Sequence, residues 1–213
     1  MRIEELEYYI RTYDPFDEQE LCDQQTILEF IDRHPDVLTR DNTFGHLTAS
    51  AFVVDSSYQR MLMVNHNIFN GLIYPGGHAD GDADLLSVAI REVFEETGIH
   101  ASPLFNGDIF SLQALPIKGH VKNGKYVSAH THYDILYAFS VSKHYEDKIR
   151  VLESENSLVK WVNFEDLEKE NQVNWIRPIN EKLVKKFRLR EKQKLGPSNK
   201  KGPAKMNRTF LHI

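Results

Sequence analysis

The sequence predicts an α/β protein: a mixed β-sheet with helices on its faces, a helical extension in front and a further helix behind. Three observations point there. Apolar spacing is helical over 1–34 and turns strand-like from His46. It becomes helical once more over 84–97. After further strand formers the chain ends in a basic helical segment from about Pro178. Elements in that order bury a sheet on both sides, and the long irregular connections leave room for a site.

Each element has a local reason. Ile3, Leu6 and Ile10 share one helical face and Leu21, Leu28 and Ile31 another, with Asp14-Pro15 breaking the chain between them. His34-Pro35 and Thr39-Arg40-Asp41-Asn42 read as a linker. Segments 47–54 and 61–64 are apolar and rich in strand formers around the turn signal Asp55-Ser56-Ser57. Over 84–97, Leu85, Val88, Ala89 and Val93 line one side of a helix, and Gly98 takes the C-cap place. Strands are expected over 109–117 and 126–141, joined by a turn around Lys122-Asn123-Gly124, and again over 158–162. Asn163 can cap a short helix through Leu167. Beyond Gly196-Pro197 the composition suggests an irregular tail. The expected organisation is a helical extension over 1–40, one domain over 41–175, and a basic helix and tail over 176–213.

Composition narrows the class. A chain of 213 residues can bury roughly 70% of its unfolded surface and needs no disulfide or structural metal to fold. Its one cysteine, Cys22, permits no intrachain disulfide, fits a reducing cytoplasm, and is expected to be a buried structural thiol. The acidic start lacks the apolar core of a signal peptide, and no stretch approaches the ~18 apolar residues of a membrane span. A soluble, cytoplasmic protein is expected. The net charge is −5, yet 175–208 carries twelve Lys/Arg against two Glu, so the rest is strongly acidic. An acidic body argues against general nucleic-acid binding, and the basic run reads as a solvated helix.

The stretch with chemistry is 74–99, YPGGHADGDADLLSVAIREVFEETGI. Glu92, Glu95 and Glu96 stand at i, i+3 and i+4, so the three carboxylates project from one helical face and repel one another. A hard cation such as Mg²⁺ among their oxygens turns that repulsion into binding. Arg91 offers a planar fork that can orient a carboxylate. Gly76, Gly77 and Gly81 allow tight bends and close backbone approach to a ligand.

Together these residues resemble the Nudix box, in which a glycine is followed fourteen residues later by Arg-Glu-x-x-Glu-Glu-x-Gly. Gly77 and Arg91 are fourteen apart, and Thr97-Gly98-Ile99 closes the motif. The resemblance implies an α/β/α sandwich with the box as loop, helix and loop. It implies a metal-dependent hydrolase that splits a diphosphate bond in a nucleoside diphosphate derivative or similar small phosphorylated substrate, with Mg²⁺ or Mn²⁺. It also implies roles: Glu95 and Glu96 as metal ligands, Glu92 as a ligand or the base that activates water, the Gly77 carbonyl completing the shell, and Arg91 holding the helix carboxylates. One position departs from the pattern: Ala83 stands where the family usually has glutamate, with Asp82 and Asp84 on either side. The Gly-Gly-His-Ala-Asp-Gly form resembles a bacterial variant of the box.

Other residues are candidates around it. Glu155, in the acidic segment Glu153-Ser154-Glu155, is expected to add a distant metal ligand. His78 is placed to touch phosphate. His130, His132 and Asp134 alternate along one strand and so share a face, a set that lines substrate or holds zinc. The alternatives are a Nudix-fold module that senses a nucleotide without cleaving it, favoured by Ala83 and opposed by the intact carboxylates, and an isopentenyl diphosphate isomerase, which would want a cysteine nearer the sheet than Cys22. The two N-terminal helices are too short to stand alone. They are expected to pack on the same domain, with a homodimer as the alternative.

Overall fold

Every residue of β1, Gly45–Val54, is buried. A strand with no solvent-facing side must be central and covered on both faces. It pairs in parallel with β9 (His130–Ser140) along its whole length, from Gly45 opposite Thr131 to Val54 opposite Ser140. On its other edge it meets β2 (Arg60–His66) and β4 (Gly76–His78), both antiparallel. Next to β2 lie β3 (Gly71–Ile73) and β10 (Asn156–Asn163), and next to β9 lie β5 (Ser102–Pro103) and β6 (Ile109–Ile117). One parallel pair among antiparallel ones makes the sheet mixed. The structure is a computed structural model that describes residues 1–122, 124–152 and 156–195. The turn residue Asn123, Glu155 and the expected irregular tail lie outside the described residues.

The strand expected over 126–141 is two strands. β7 (His120–Lys122) and β8 (Lys125–Val127) form their own hairpin, while β9 belongs to the main sheet. A segment paired first in a hairpin and then between β1 and β6 must break, and it does so at Ser128-Ala129. The short helix expected after Asn163 is a 3₁₀ turn, Phe164–Lys169. The Asn163 amide donates to Asp166 (3.1 Å) and makes no side-chain cap.

Helices cover both faces. The central helix α3 (Leu85–Thr97) starts where Asp84 accepts from the Ser87 amide (3.4 Å) and stops at Gly98, whose φ of 70° suits glycine. It lies over the face of β1 that carries Ala49, because a Cβ on Gly77, opposite Ala49, would overlap the Glu92 carboxyl group. The other face carries Phe52, whose ring lies 5.6 Å from Phe110 and 5.5 Å from Phe187 of the C-terminal helix α4 (Arg177–Leu195).

The N-terminal helices α1 (Ile3–Thr12) and α2 (Glu18–Arg33) pack on the same chain. α1 buries Leu6 and Ile10 as read. α2 buries Glu20, Gln24, Ile27, Phe30 and Ile31, so its inward face is rotated from the expected one. Leu21 is exposed, and Cys22 beside it is an exposed free thiol, contrary to the expected buried one. The rotation has a polar cause. Glu20 receives Lys186 Nζ at 2.8 Å, the Ser111 hydroxyl at 2.5 Å and the Tyr13 hydroxyl at 2.5 Å, with Lys182 at 3.0 Å. A buried carboxylate is tolerated when charges and donors surround it in this way. Among the described residues, no helix is long and apolar enough to cross a membrane.

Candidate active site

α3 brings the box carboxylates to the sheet in three different environments. Glu92 is half-buried and lies over Gly77, where only a glycine leaves room for its carboxyl group. Glu96 is buried; it accepts from the Gly76 amide (3.0 Å) and from the Asn156 side chain (3.1 Å). Glu95 is exposed. Glu96 thus ties the helix to β4 and to β10, which orients its neighbours at i−4 and i−1.

The loop before α3 is braced by charge. Arg91 comes within 4.0 Å of Asp82, the carboxylate one residue before Ala83. Ala83 itself is buried. Asp82 also accepts from the Asp84 amide (2.9 Å), so the loop and the helix start are closed on each other. Asp80, at a positive φ of 46°, holds Arg40 of the linker through two hydrogen bonds of 2.8 and 2.5 Å. Asn156, Arg40 and Asp80 were not found from the sequence. Asn156 directly follows Glu155, the residue singled out there.

The donor set fits a hard divalent cation. Glu92, Glu95 and Glu96 come from one helix and Glu92 lies against Gly77, a set of oxygen donors of the kind a hard divalent cation takes, although their ligand atoms are not drawn together as tightly as those of His46, His130 and His132.

Gly77 and His78 are consecutive in β4, so their substituents lie on opposite faces. Glu92 lies on the Gly77 side. On the other side His78 joins His46, His130 and His132. The His46 ring is 5.0 Å from that of His78, 5.1 Å from His130 and 5.0 Å from His132. Burial, with the neighbouring rings, lowers His132 well below the ordinary histidine range; burial, with Arg40 and His46, lowers His78 to about 3. His46 is lowered by burial as well. His46, His78 and His132 are thereby held towards the neutral form. Asp134 shares their face but is used otherwise. It is fully buried and accepts from the hydroxyls of Thr48 (2.8 Å), Ser50 (2.7 Å) and Tyr74 (3.3 Å), while burial raises its carboxyl. The expected trio of His130, His132 and Asp134 is thus replaced by His46, His130 and His132. His46 went unnoticed because its partner strand is 84 residues away, and no spacing along the chain reports a parallel register.

A cleft of about 380 Å³ opens beyond these histidines, with Phe69 and Trp175 in edge-to-face contact (5.7 Å) in its wall and Lys118 and His120 on its rim. His120 lies 6.2 Å from His130, so a row of histidines runs from the cleft to His78, on the sheet face opposite Glu92.

A family model described as the NUDIX domain matches residues 45–183. The chain belongs to the Nudix family. The Nudix match begins with β1 and ends within α4, so α1 and α2 stand outside it. Among solved structures, the MutT protein of Methanosarcina mazei Go1 is 18% identical with a TM-score of 0.53, covering 68% of this chain and 97% of that one. A NUDIX-family hydrolase from Clostridium perfringens is 21% identical with a TM-score of 0.47, covering 66% and 96%. A C. elegans Ap4A hydrolase is 18% identical with a TM-score of 0.49, covering 69% and 98%. At 18% identity the likeness to the first of these is one of fold. No curated protein matches the chain.

Proposed function

We propose that this chain is a metal-dependent Nudix hydrolase that splits a diphosphate bond in a nucleoside diphosphate derivative. The observation that carries the reading is the Glu92 carboxylate lying over Gly77, with Glu96 anchored to Gly76 and Asn156 beside it. Glu92, Glu95, Glu96 and the Gly77 carbonyl would hold Mg²⁺ or Mn²⁺. A cation bound there would lower the pKa of water and neutralise charge on the phosphoryl oxygens. The chain's own part is positioning, which suffices in phosphoryl transfer because little covalent chemistry is asked of the protein. Glu96 fixes the helix against β4, and Arg91 with Asp82 holds the loop before α3. Glu92 or Glu95 takes the proton of the attacking water. The Phe69 and Trp175 wall of the cleft offers a stacking surface for a nucleobase, with His120 on that cleft and His130, His132 and His78 following it along the sheet face away from Glu92.

Titratable catalysis of this kind has a direct test. The purified protein should release nucleotide from at least one member of a panel of nucleoside diphosphate sugars, ADP-ribose and dinucleoside polyphosphates when Mg²⁺ or Mn²⁺ is present, and stop with EDTA. Full turnover in chelator would remove the metal from the mechanism. Tight nucleotide binding with no turnover on any member would favour the sensing module instead.

A further inference from the structure

We propose that His46, His130 and His132 form a second metal site, for a borderline transition metal of which Zn²⁺ is the type, on the sheet face opposite the box carboxylates. Neither the box nor the hydrolase reading requires it, and it rests on neither.

The sheet itself assembles the site. His46 is directly opposite His132 in the parallel pairing of β1 and β9, and His130 is two residues before His132 on the same face. Each of the three offers a ring nitrogen, and these atoms all lie within 4.8 Å of one another. The Nε2 atoms of His130 and His132 are 3.1 Å apart. Zinc–nitrogen bonds of about 2.0–2.1 Å in a tetrahedron place ligand nitrogens roughly 3.3 Å apart. Small ring rotations therefore suffice to close the three around one ion.

Two further observations point to a ligand rather than to a packed core. His46 is buried, and its Nε2 has no hydrogen-bond partner among the described residues. An unsatisfied buried nitrogen costs free energy unless something occupies its lone pair. The outer nitrogens are meanwhile held: Nδ1 of His46 is 3.4 Å from the Asn42 carbonyl oxygen, and Nδ1 of His130 is 2.8 Å from that of Ser128. A carbonyl that accepts from Nδ1–H fixes the tautomer and turns the Nε2 lone pair inward, as the outer partners of metal-binding histidines do. The nearby carboxylates are committed elsewhere, Asp134 to three hydroxyls and Asp80 to Arg40. Imidazole nitrogens select zinc, copper or nickel over Mg²⁺, whereas the oxygens of Glu92, Glu95 and Glu96 select the hard cation. The two sites separate by chemistry as well as by face. His78, with its ring 4.9 Å from His132, is the nearest imidazole to a fourth position.

The test loads metal-stripped protein with Zn²⁺ alone and, in parallel, with Co²⁺ as a spectroscopic stand-in. Wild type is expected to retain one equivalent of Zn²⁺ through gel filtration and to give the strong visible absorption of four-coordinate Co²⁺. His130→Ala, at the partly exposed rim, is expected to lower Zn²⁺ affinity at least about 100-fold, the upper end of what even an outer partner's loss costs. The double variant Glu92→Gln/Glu95→Gln should bind Zn²⁺ as wild type does. His132→Ala serves as the second ligand variant, and circular dichroism confirms that each variant is folded. The proposal is overturned if wild type retains no Zn²⁺. It is equally overturned if binding survives both histidine substitutions or disappears in the glutamate double variant. Hydrolysis is not the readout, so the result is independent of the diphosphatase reading.

Discussion

Gly77 and Glu20 show how single residues set this molecule's limits. A methyl group at Gly77 would occupy the place of the Glu92 carboxylate. Gly77→Ala must therefore displace the Glu92 carboxylate, to which we assign a part in catalysis, while leaving the core alone. Displacements of about 1 Å in such sites cost roughly 100-fold in rate, and we expect that loss in kcat with an unchanged circular-dichroism spectrum. An unaffected kcat would show that Glu92 is not needed where it lies. Glu20 carries stability instead. Burial alone would raise its carboxyl, but Lys182, Lys186 and the Ser111 hydroxyl outweigh burial and hold it at about 2, below the ordinary 4.5. Because the folded value is the lower one, the stabilisation is fully present above pH 4.5 and is lost as pH falls through about 2. Glu20→Ala leaves Lys186 buried without its counter-charge and should cost about 3–5 kcal/mol in denaturant unfolding. The variant should also lose part of the acid-dependent destabilisation between pH 4.5 and 2. A wild-type midpoint and acid profile would mean that the network contributes nothing.

At the scale of elements, what was legible in the sequence was local. α3 announces both ends, through Asp84 and Gly98, and its three glutamates fall on one side by helical geometry. β1, β6 and β10 were found within a few residues from strand formers. β3 and β4, three residues each, are too short to show alternation and were missed. The inward face of α2 was misjudged because apolar spacing cannot foresee that Lys186, 166 residues away, would accommodate Glu20. The histidine cluster needed the register of β1 against β9, and the brace from Asn156 to Glu96 needed the place of β10 beside β2. Short-range patterns determine elements, but long-range pairing determines which elements share a site. The N-terminal pair tests this. Deleting residues 1–34 removes Ile27, Phe30 and Glu20 from their contacts. Losing several kcal/mol in a chain of this size lowers Tm by on the order of 10 °C. The Mg²⁺ requirement should not change, since no box residue lies on α1 or α2. A truncated protein with the wild-type Tm would make the extension a passive appendage.

The whole molecule combines two chemistries on one sheet. Carboxylates and the Gly77 backbone gather on one face under α3, and imidazoles gather on the other, with consecutive residues of β4 serving both. The Nudix match covers this centre; outside it α1 packs on α2, which is joined to α4 through Glu20, Lys182 and Lys186. The central claim is that turnover depends on a cation held by the box. Its most direct measurement is the steady-state rate of nucleotide release from a cleaved diphosphate as Mg²⁺ is titrated into metal-free enzyme, for wild type and for Glu95→Gln. The account predicts no turnover at zero Mg²⁺, saturation for wild type, and for Glu95→Gln a maximal rate lower by orders of magnitude that higher Mg²⁺ does not restore. Wild-type turnover without divalent metal, or a Glu95→Gln curve that overlays the wild-type one, would contradict it.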